Sequence, residues 1–372
     1  MSISCLIMNR SSTMAALFAL GLLSALQMGS CRPEQADILP EYDPTPYVLD
    51  IGDFPPPPLV PDNPLTRAGV QLGRMLFYER ALSADGTQAC ADCHRQTDGF
   101  SDPRAFSIGV AGLPGTRHSM ALFNLAWHRN GFFLDGRSPT LRHQALQPIQ
   151  DPLEMNEELV NAVRKLGERR AYRHQFIRAF GDEQITEARI GLALEQFMRV
   201  LVSRDSKYDR YLRGQATLTP AEERGRLLYF GEYDPQGVGK GAECFHCHGG
   251  FNLTNDQYMN NGLDAEGSFA DPGLFAVTGK AQDMARFKVP SLRNIAVTAP
   301  YMHDGRFDTL EEVIRHYNTG VKASPTVDFL LHYNLNPGGL RLDDQDIADL
   351  LAFLETFTDP AFLQDTAFSR PF

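Results

Sequence analysis

Two short runs, Cys90-Ala91-Asp92-Cys93-His94 and Cys244-Phe245-His246-Cys247-His248, constrain this 372-residue chain more than any other feature. In each, two thiols and an adjacent imidazole stand at the spacing that lets both sulfurs add to the vinyl groups of one porphyrin while the histidine reaches its iron. Two such runs imply two covalently bound c-type haems. The competing reading is zinc, which also takes cysteine and histidine, but the two pairs stand far apart in sequence. The chain has six cysteines. Cys5 and Cys31 fall within or at the end of an N-terminal leader, so none remains for a disulfide framework.

That leader reads as an export signal over residues 1–30. Arg10 supplies positive charge, Met14 to Leu26 is an apolar run too short to span a bilayer comfortably, and the small residues Gly29 and Ser30 precede Cys31. Met28-Gly29-Ser30-Cys31 resembles a loose lipobox, which would make Cys31 a lipid anchor. The alternative is a plain cleavable signal. Either way the expected location is the periplasm or cell envelope. Residues 31–64, rich in proline and acid and lacking apolar periodicity, read as an extended tether. The net charge of −11 argues against nucleic acid as a partner.

From Thr66 the pattern turns helical, with Ala68, Leu72, Met75 and Leu76 on one face. Ile185 to Leu201 reads as a long amphipathic helix. Thr219-Pro220-Ala221-Glu222 is a helix start, with threonine as cap, proline in the first turn and glutamate three residues on. Gly73-Arg74-Met75-Leu76-Phe77-Tyr78 ahead of the first cysteine pair is echoed by Gly225-Arg226-Leu227-Leu228-Tyr229-Phe230 ahead of the second. We expect a mainly α fold with few or no long strands. It comprises two cytochrome c-like haem domains, an N-terminal one over residues 65–215 and a C-terminal one over residues 216–372.

Beyond the tether the chain resembles the bacterial dihaem cytochrome c peroxidases and their MauG-type relatives. The matching stretches are Phe133-Leu134-Asp135-Gly136-Arg137, Gln144-Ala145 through Pro152-Leu153-Glu154-Met155, Phe287-Lys288-Val289-Pro290-Ser291-Leu292-Arg293-Asn294, and Pro300-Tyr301-Met302-His303-Asp304-Gly305. The resemblance implies a peroxide-reacting N-terminal haem ligated by His94 and an electron-relaying C-terminal haem ligated by His248. It places Glu154 as the distal acid-base residue, where a carboxylate can take a proton from one peroxide oxygen and return it to the other. Read without the resemblance, Glu154 is a surface glutamate in an acidic stretch.

Departures from the family pattern are informative. Val110 falls where many family members have a distal histidine that blocks the first iron, so the first haem is expected to be open. Leu134 replaces the tryptophan that bridges the haems in relatives, and the single Trp127 lies earlier, where core packing is its plainer role. Phe132 and Phe133 are the other aromatic candidates for relay. Thr298 and Pro300 match positions whose backbone carbonyls hold calcium, but His118 stands where an asparagine ligand is usual. His303 is expected to orient groups beside the second haem, and His246 to face solvent. His128, His143, His174 and His332 form no constellation.

The sixth ligand of the second haem is to be sought among Met302, His303, His316 and Tyr317. Leu310, Val313, Ile314 and Tyr317 share one helical face, while His316 falls with Glu312 on a wetter one. The resemblance adds that this position is tyrosine in the MauG-type branch, which favours Tyr317. A phenolate is an anionic donor that lowers the reduction potential of the iron.

These observations imply a dihaem peroxidase. It would reduce hydrogen peroxide with electrons relayed from a small cytochrome or cupredoxin. A MauG-type oxidase of a protein or small molecule, and a non-enzymatic electron-transfer cytochrome, are the alternatives.

Overall fold

The computed structural model describes residues 39–236 and 238–372. The leader, with Cys5, and the candidate anchor Cys31 lie outside them. Among the described residues no helix is long and apolar enough to cross a membrane.

Helix α1, Arg67–Phe77, begins where the sequence predicts, because the Thr66 hydroxyl accepts the Gly69 amide at 3.0 Å and satisfies an otherwise orphaned donor. Helices α2 (Cys90–Cys93), α3 (Leu141–Gln150), α4 (Leu159–Gly167), α5 (Arg170–Phe180) and α6 (Glu187–Val200) follow. The apolar face of α6 buries Ile190, Leu194, Phe197 and Met198 against Leu72, Leu76 and Phe77 of α1 in a first core. Each such side chain stabilises the fold by about 1.5–3 kcal/mol when fully buried.

The second half carries α7 (Lys207–Leu212), α8 (Pro220–Phe230), α9 (Phe245–His248), α10 (Phe275–Thr278), α11 (Leu310–Arg315), α12 (Asp344–Glu355) and α13 (Pro360–Gln364). Helix α8 starts with the expected capping box between Thr219 and Glu222. Tyr229, Leu350, Phe353 and Phe357 centre a second core. The two repeat glycines do the same work in each half. A Cβ at Gly73 would strike the Ala193 carbonyl of α6, and one at Gly225 the Asp349 carbonyl of α12. Only glycine lets each helix pair cross this closely.

The fold is mainly helical. Among the described residues the one sheet pairs β1 (Tyr258–Met259) antiparallel with β2 (Phe287–Lys288), Tyr258 opposite Lys288.

Both ends of the described chain pack on the first core. Residues 39–64 contain no helix, yet Asn63 is buried, its amide donating to Glu195 Oε2 at 2.6 Å and to the Leu192 carbonyl at 3.0 Å. Phe54 packs edge-on to Trp127, whose indole N–H donates to the Pro55 carbonyl at 2.7 Å. At the other end Phe362 and Phe368 enter the first core, and Arg74 Nε donates to the Ser369 carbonyl at 2.7 Å.

Candidate functional site

The first cysteine run is a single turn of helix. Asp92 fixes it by accepting the Ala89 amide at 2.9 Å. His94 Nδ1 lies 2.9 Å from the Phe100 carbonyl, so that nitrogen donates and Nε2 keeps its lone pair for a metal. Burial lowers the His94 pKa, which keeps the ring neutral and able to ligate.

Beside it lies a cavity walled by Cys90, Cys93, His94, Gln88, Gln144 and Glu154, with apolar residues such as Leu122 and Met198. The Glu154 turn is held from Asp151, which accepts the Leu153 amide on Oδ1 at 2.8 Å and the Glu154 amide on its carbonyl at 3.0 Å. Burial and the Asp151 charge push the Glu154 carboxyl up to about 7, against the pull of Arg137. Val110 donates its amide to the Glu154 carbonyl at 2.8 Å and does not line the cavity. Among the described residues His94 is the one histidine in the cavity wall.

Sequence reasoning missed Gln144 and Gln88. Their Oε1 atoms are buried with no partner, and a buried unpaired acceptor is costly unless a ligand or water meets it. Neutral amides in a helical pattern or a turn carry no signal of their own. The only available hint was that Gln144 opens one of the matched stretches.

The second run offers the same donors. His248 Nδ1 lies 3.1 Å from the Pro290 carbonyl, and burial takes the ring down to about 4. Tyr229 donates its hydroxyl to the His248 carbonyl at 2.6 Å. The cavity here is about 300 Å³, against about 40 Å³ at the first site. The second volume suits a flat macrocycle. At the first the open space suits water-sized molecules, and the fit to haem rests on the donor set of two thiols and a neutral imidazole.

Leu310, Val313, Ile314 and Tyr317 all line the second cavity, the face that periodicity predicts. Burial pushes the Tyr317 phenol up to about 12, with the Asn261 amide pulling the other way. Met302 and His303 line it too. Met302 Sδ accepts the Asn261 side-chain amide at 3.3 Å, and His303 stacks on Phe287 with ring centres 4.0 Å apart.

His316 departs from expectation. It is 6% exposed rather than wet, with Nε2 3.1 Å from the Asn261 carbonyl. The α-helix passes into a π-helical turn at His316–Gly320, and Phe307 and the Asn261 carbonyl cover the His316 ring. His316 thus turns inward without reaching the cavity wall.

The partition between the cavities is one strand of chain thick, Leu122 lining the first and Ala121 and Phe123 the second. Leu134 lines the second cavity, whereas Trp127, Phe132 and Phe133 line neither. His128, left unassigned by sequence, does join a constellation. It lines the second cavity, stacks on Phe132 and lies 3.2 Å from Asp256, which also takes Lys288 Nζ at 2.6 Å. In the Leu134-Asp135-Gly136-Arg137 stretch, Asp135 pairs with both Arg117 at 2.5 Å and Arg137 at 3.1 Å. His246 Nε2 meets Glu232 at 3.1 Å, partly in solvent.

Residues 67–217 match the family model described as di-haem cytochrome c peroxidase. Over 307 residues, 80% of this chain and 81% of the relative, the protein is 35% identical to methylamine utilization protein MauG of Methylorubrum extorquens. The chain belongs to the dihaem cytochrome c peroxidase and MauG family. Cytochrome c551 peroxidase of Nitrosomonas europaea is 32% identical over 291 residues, covering 77% of this chain and 79% of its own. A solved structure described as a MauG-like protein associated with microbial copper homeostasis superposes with a TM-score of 0.77 at 39% identity, covering 87% of this chain and 99% of its own. This dihaem protein is therefore an oxidoreductase of the cytochrome c peroxidase type, in a family that carries two haem groups and uses hydrogen peroxide and a redox partner.

Proposed function

We propose that this dihaem enzyme reduces hydrogen peroxide at the first site and draws the electrons, through the second, from a protein or small-molecule substrate in the MauG manner. The observation that supports this branch is Tyr317 in the wall of the second cavity. When bound, the haems supply the electrons that cleave the peroxide bond and hold the oxidising equivalents afterwards. Cys90, Cys93 and His94 hold the first haem; Cys244, Cys247, His248 and Tyr317 hold the second. Glu154, half charged near neutrality, takes the proton from one peroxide oxygen and returns it to the departing one. With two electrons and two protons the product is water. Gln144 and Gln88 offer acceptors that orient peroxide hydrogens.

A relay peroxidase drawing on a small cytochrome or cupredoxin is the second reading. Leu134 favours it, since an aliphatic side chain at the place of the bridging indole makes a poorer stepping stone for long-range oxidation of a partner. The leader and Cys31 support a location in the periplasm or envelope, with a lipid anchor where the cysteine is modified. The 39% identical MauG-like structure suggests a copper-handling setting for the substrate.

Single-turnover kinetics separate the two readings. One equivalent of peroxide is added to the diferric enzyme, followed by either a reduced small cytochrome or cupredoxin or an aromatic substrate. Slow oxidation of the electron-transfer protein and faster consumption by the aromatic substrate is the expected result. Rapid oxidation of two electron-transfer proteins per peroxide would move the assignment to the relay peroxidase.

A further inference from the structure

The family resemblance puts calcium at the Thr298 and Pro300 carbonyls, and the side chain at the remaining ligand position is His118. Calcium takes about six to eight oxygen ligands, and an imidazole offers none. The ring is already engaged. Nε2 lies 3.1 Å from Ser101 Oγ and Nδ1 lies 3.1 Å from the Arg104 carbonyl. The carbonyls of Ala105 and Thr298 also face it. The His118 amide donates to the His303 carbonyl at 2.8 Å.

The chain closes tightly near this ring. A Cβ at Gly99 would stand 2.9 Å from Thr298 Cγ2, and one at Gly305 would stand 2.7 Å from Ala105 Cα. Backbone from the two halves thus meets beside the ring, which stands with Ser101, Thr298 and Pro300 in the wall of the second cavity. Several of these contacts join residues 99–118 to residues 298–305, and Ser119 to Phe123, the segment that partitions the two cavities, begins directly after His118.

We infer that the His118 ring takes the place of a calcium ion and itself fastens Ser101–Ala105 to Thr298–His303. The residues fit a neutral polar plug bonded to carbonyls and a hydroxyl, and they do not fit a hard cation. The enzyme is then independent of calcium, and the partition between its cavities is set by protein alone.

Thermal unfolding of the haem-loaded protein, followed by haem absorbance and circular dichroism, tests this without reference to turnover. Treatment with a calcium chelator leaves the wild-type midpoint unchanged, and added calcium does not raise it. His118→Asn in chelator unfolds roughly 1–2 °C lower, the shift expected for losing one modest interaction in a chain of this length. A wild-type midpoint that falls on chelation and recovers with calcium would overturn the inference, as would an unchanged midpoint for H118N. Should the variant fail to fold, calcium calorimetry on the chelated wild type decides. No binding heat supports the plug, and one tightly bound calcium per chain refutes it.

Discussion

Replacing Glu154 by Gln lowers the second-order rate of peroxide reduction by about 10²–10⁴-fold, the range a positioned general acid-base group contributes. The amide preserves size and hydrogen bonding but cannot accept the peroxide proton. In the wild type the rate depends on the carboxylate, so it rises with pH through the Glu154 pKa of about 7 and levels off above it. The variant loses that inflection as well as the rate. Stability follows the opposite slope. The folded pKa stands above the ordinary 4.5, so the protonated carboxyl favours the fold at low pH, and that contribution is lost as pH climbs from about 4.5 to about 7. Stopped-flow peroxide kinetics across pH check the first claim and chemical denaturation across the same range the second. A Gln variant with full rate and an intact inflection would remove Glu154 from the mechanism.

Tyr317→Phe changes the second haem and leaves the first alone. Without the phenolate the ferric state loses an anionic donor, so the reduction potential rises, on the order of 100 mV within the ~0.8 V span that axial ligands command. The second-haem absorption and paramagnetic resonance spectra change with it. Met302 is the thioether already in the cavity wall, so Tyr317→Phe combined with Met302→Leu separates loss of one ligand from gain of another. Spectroelectrochemical titration reads both haems in one experiment. An unchanged second-haem spectrum in Tyr317→Phe would send the ligand assignment to Met302 or His303, which also line the cavity.

What was legible in the sequence was local. The Thr66 and Thr219 caps, the α6 apolar face and the Leu310 to Tyr317 face depend on spacings within one or two helical turns, and the structure places them as read. The paired roles of Gly73 and Gly225 were visible as a repeat, though the colliding carbonyls of Ala193 and Asp349 were not. The burial of His316 is not visible in the sequence because Asn261 and Phe307, which cover its ring, come from other parts of the chain. His128 was passed over because its partners Asp256 and Lys288 come from distant chain. Gln144 and Gln88 were silent because their significance lies in a missing partner, which only three-dimensional accounting reveals. The proline-rich stretch ahead of Thr66 showed no periodicity, yet isolated residues such as Phe54 and Asn63 anchor it through contacts that no sequence pattern encodes.

The central claim is that two haem sites built from the same five-residue run are unequal, the first open beside Glu154 and the second closed by Tyr317. Low-temperature electron paramagnetic resonance of the resting diferric protein tests this most directly. The account predicts one high-spin ferric signal, from the His94-ligated haem, and one low-spin signal that changes in Tyr317→Phe. Two low-spin signals with no high-spin species would contradict it.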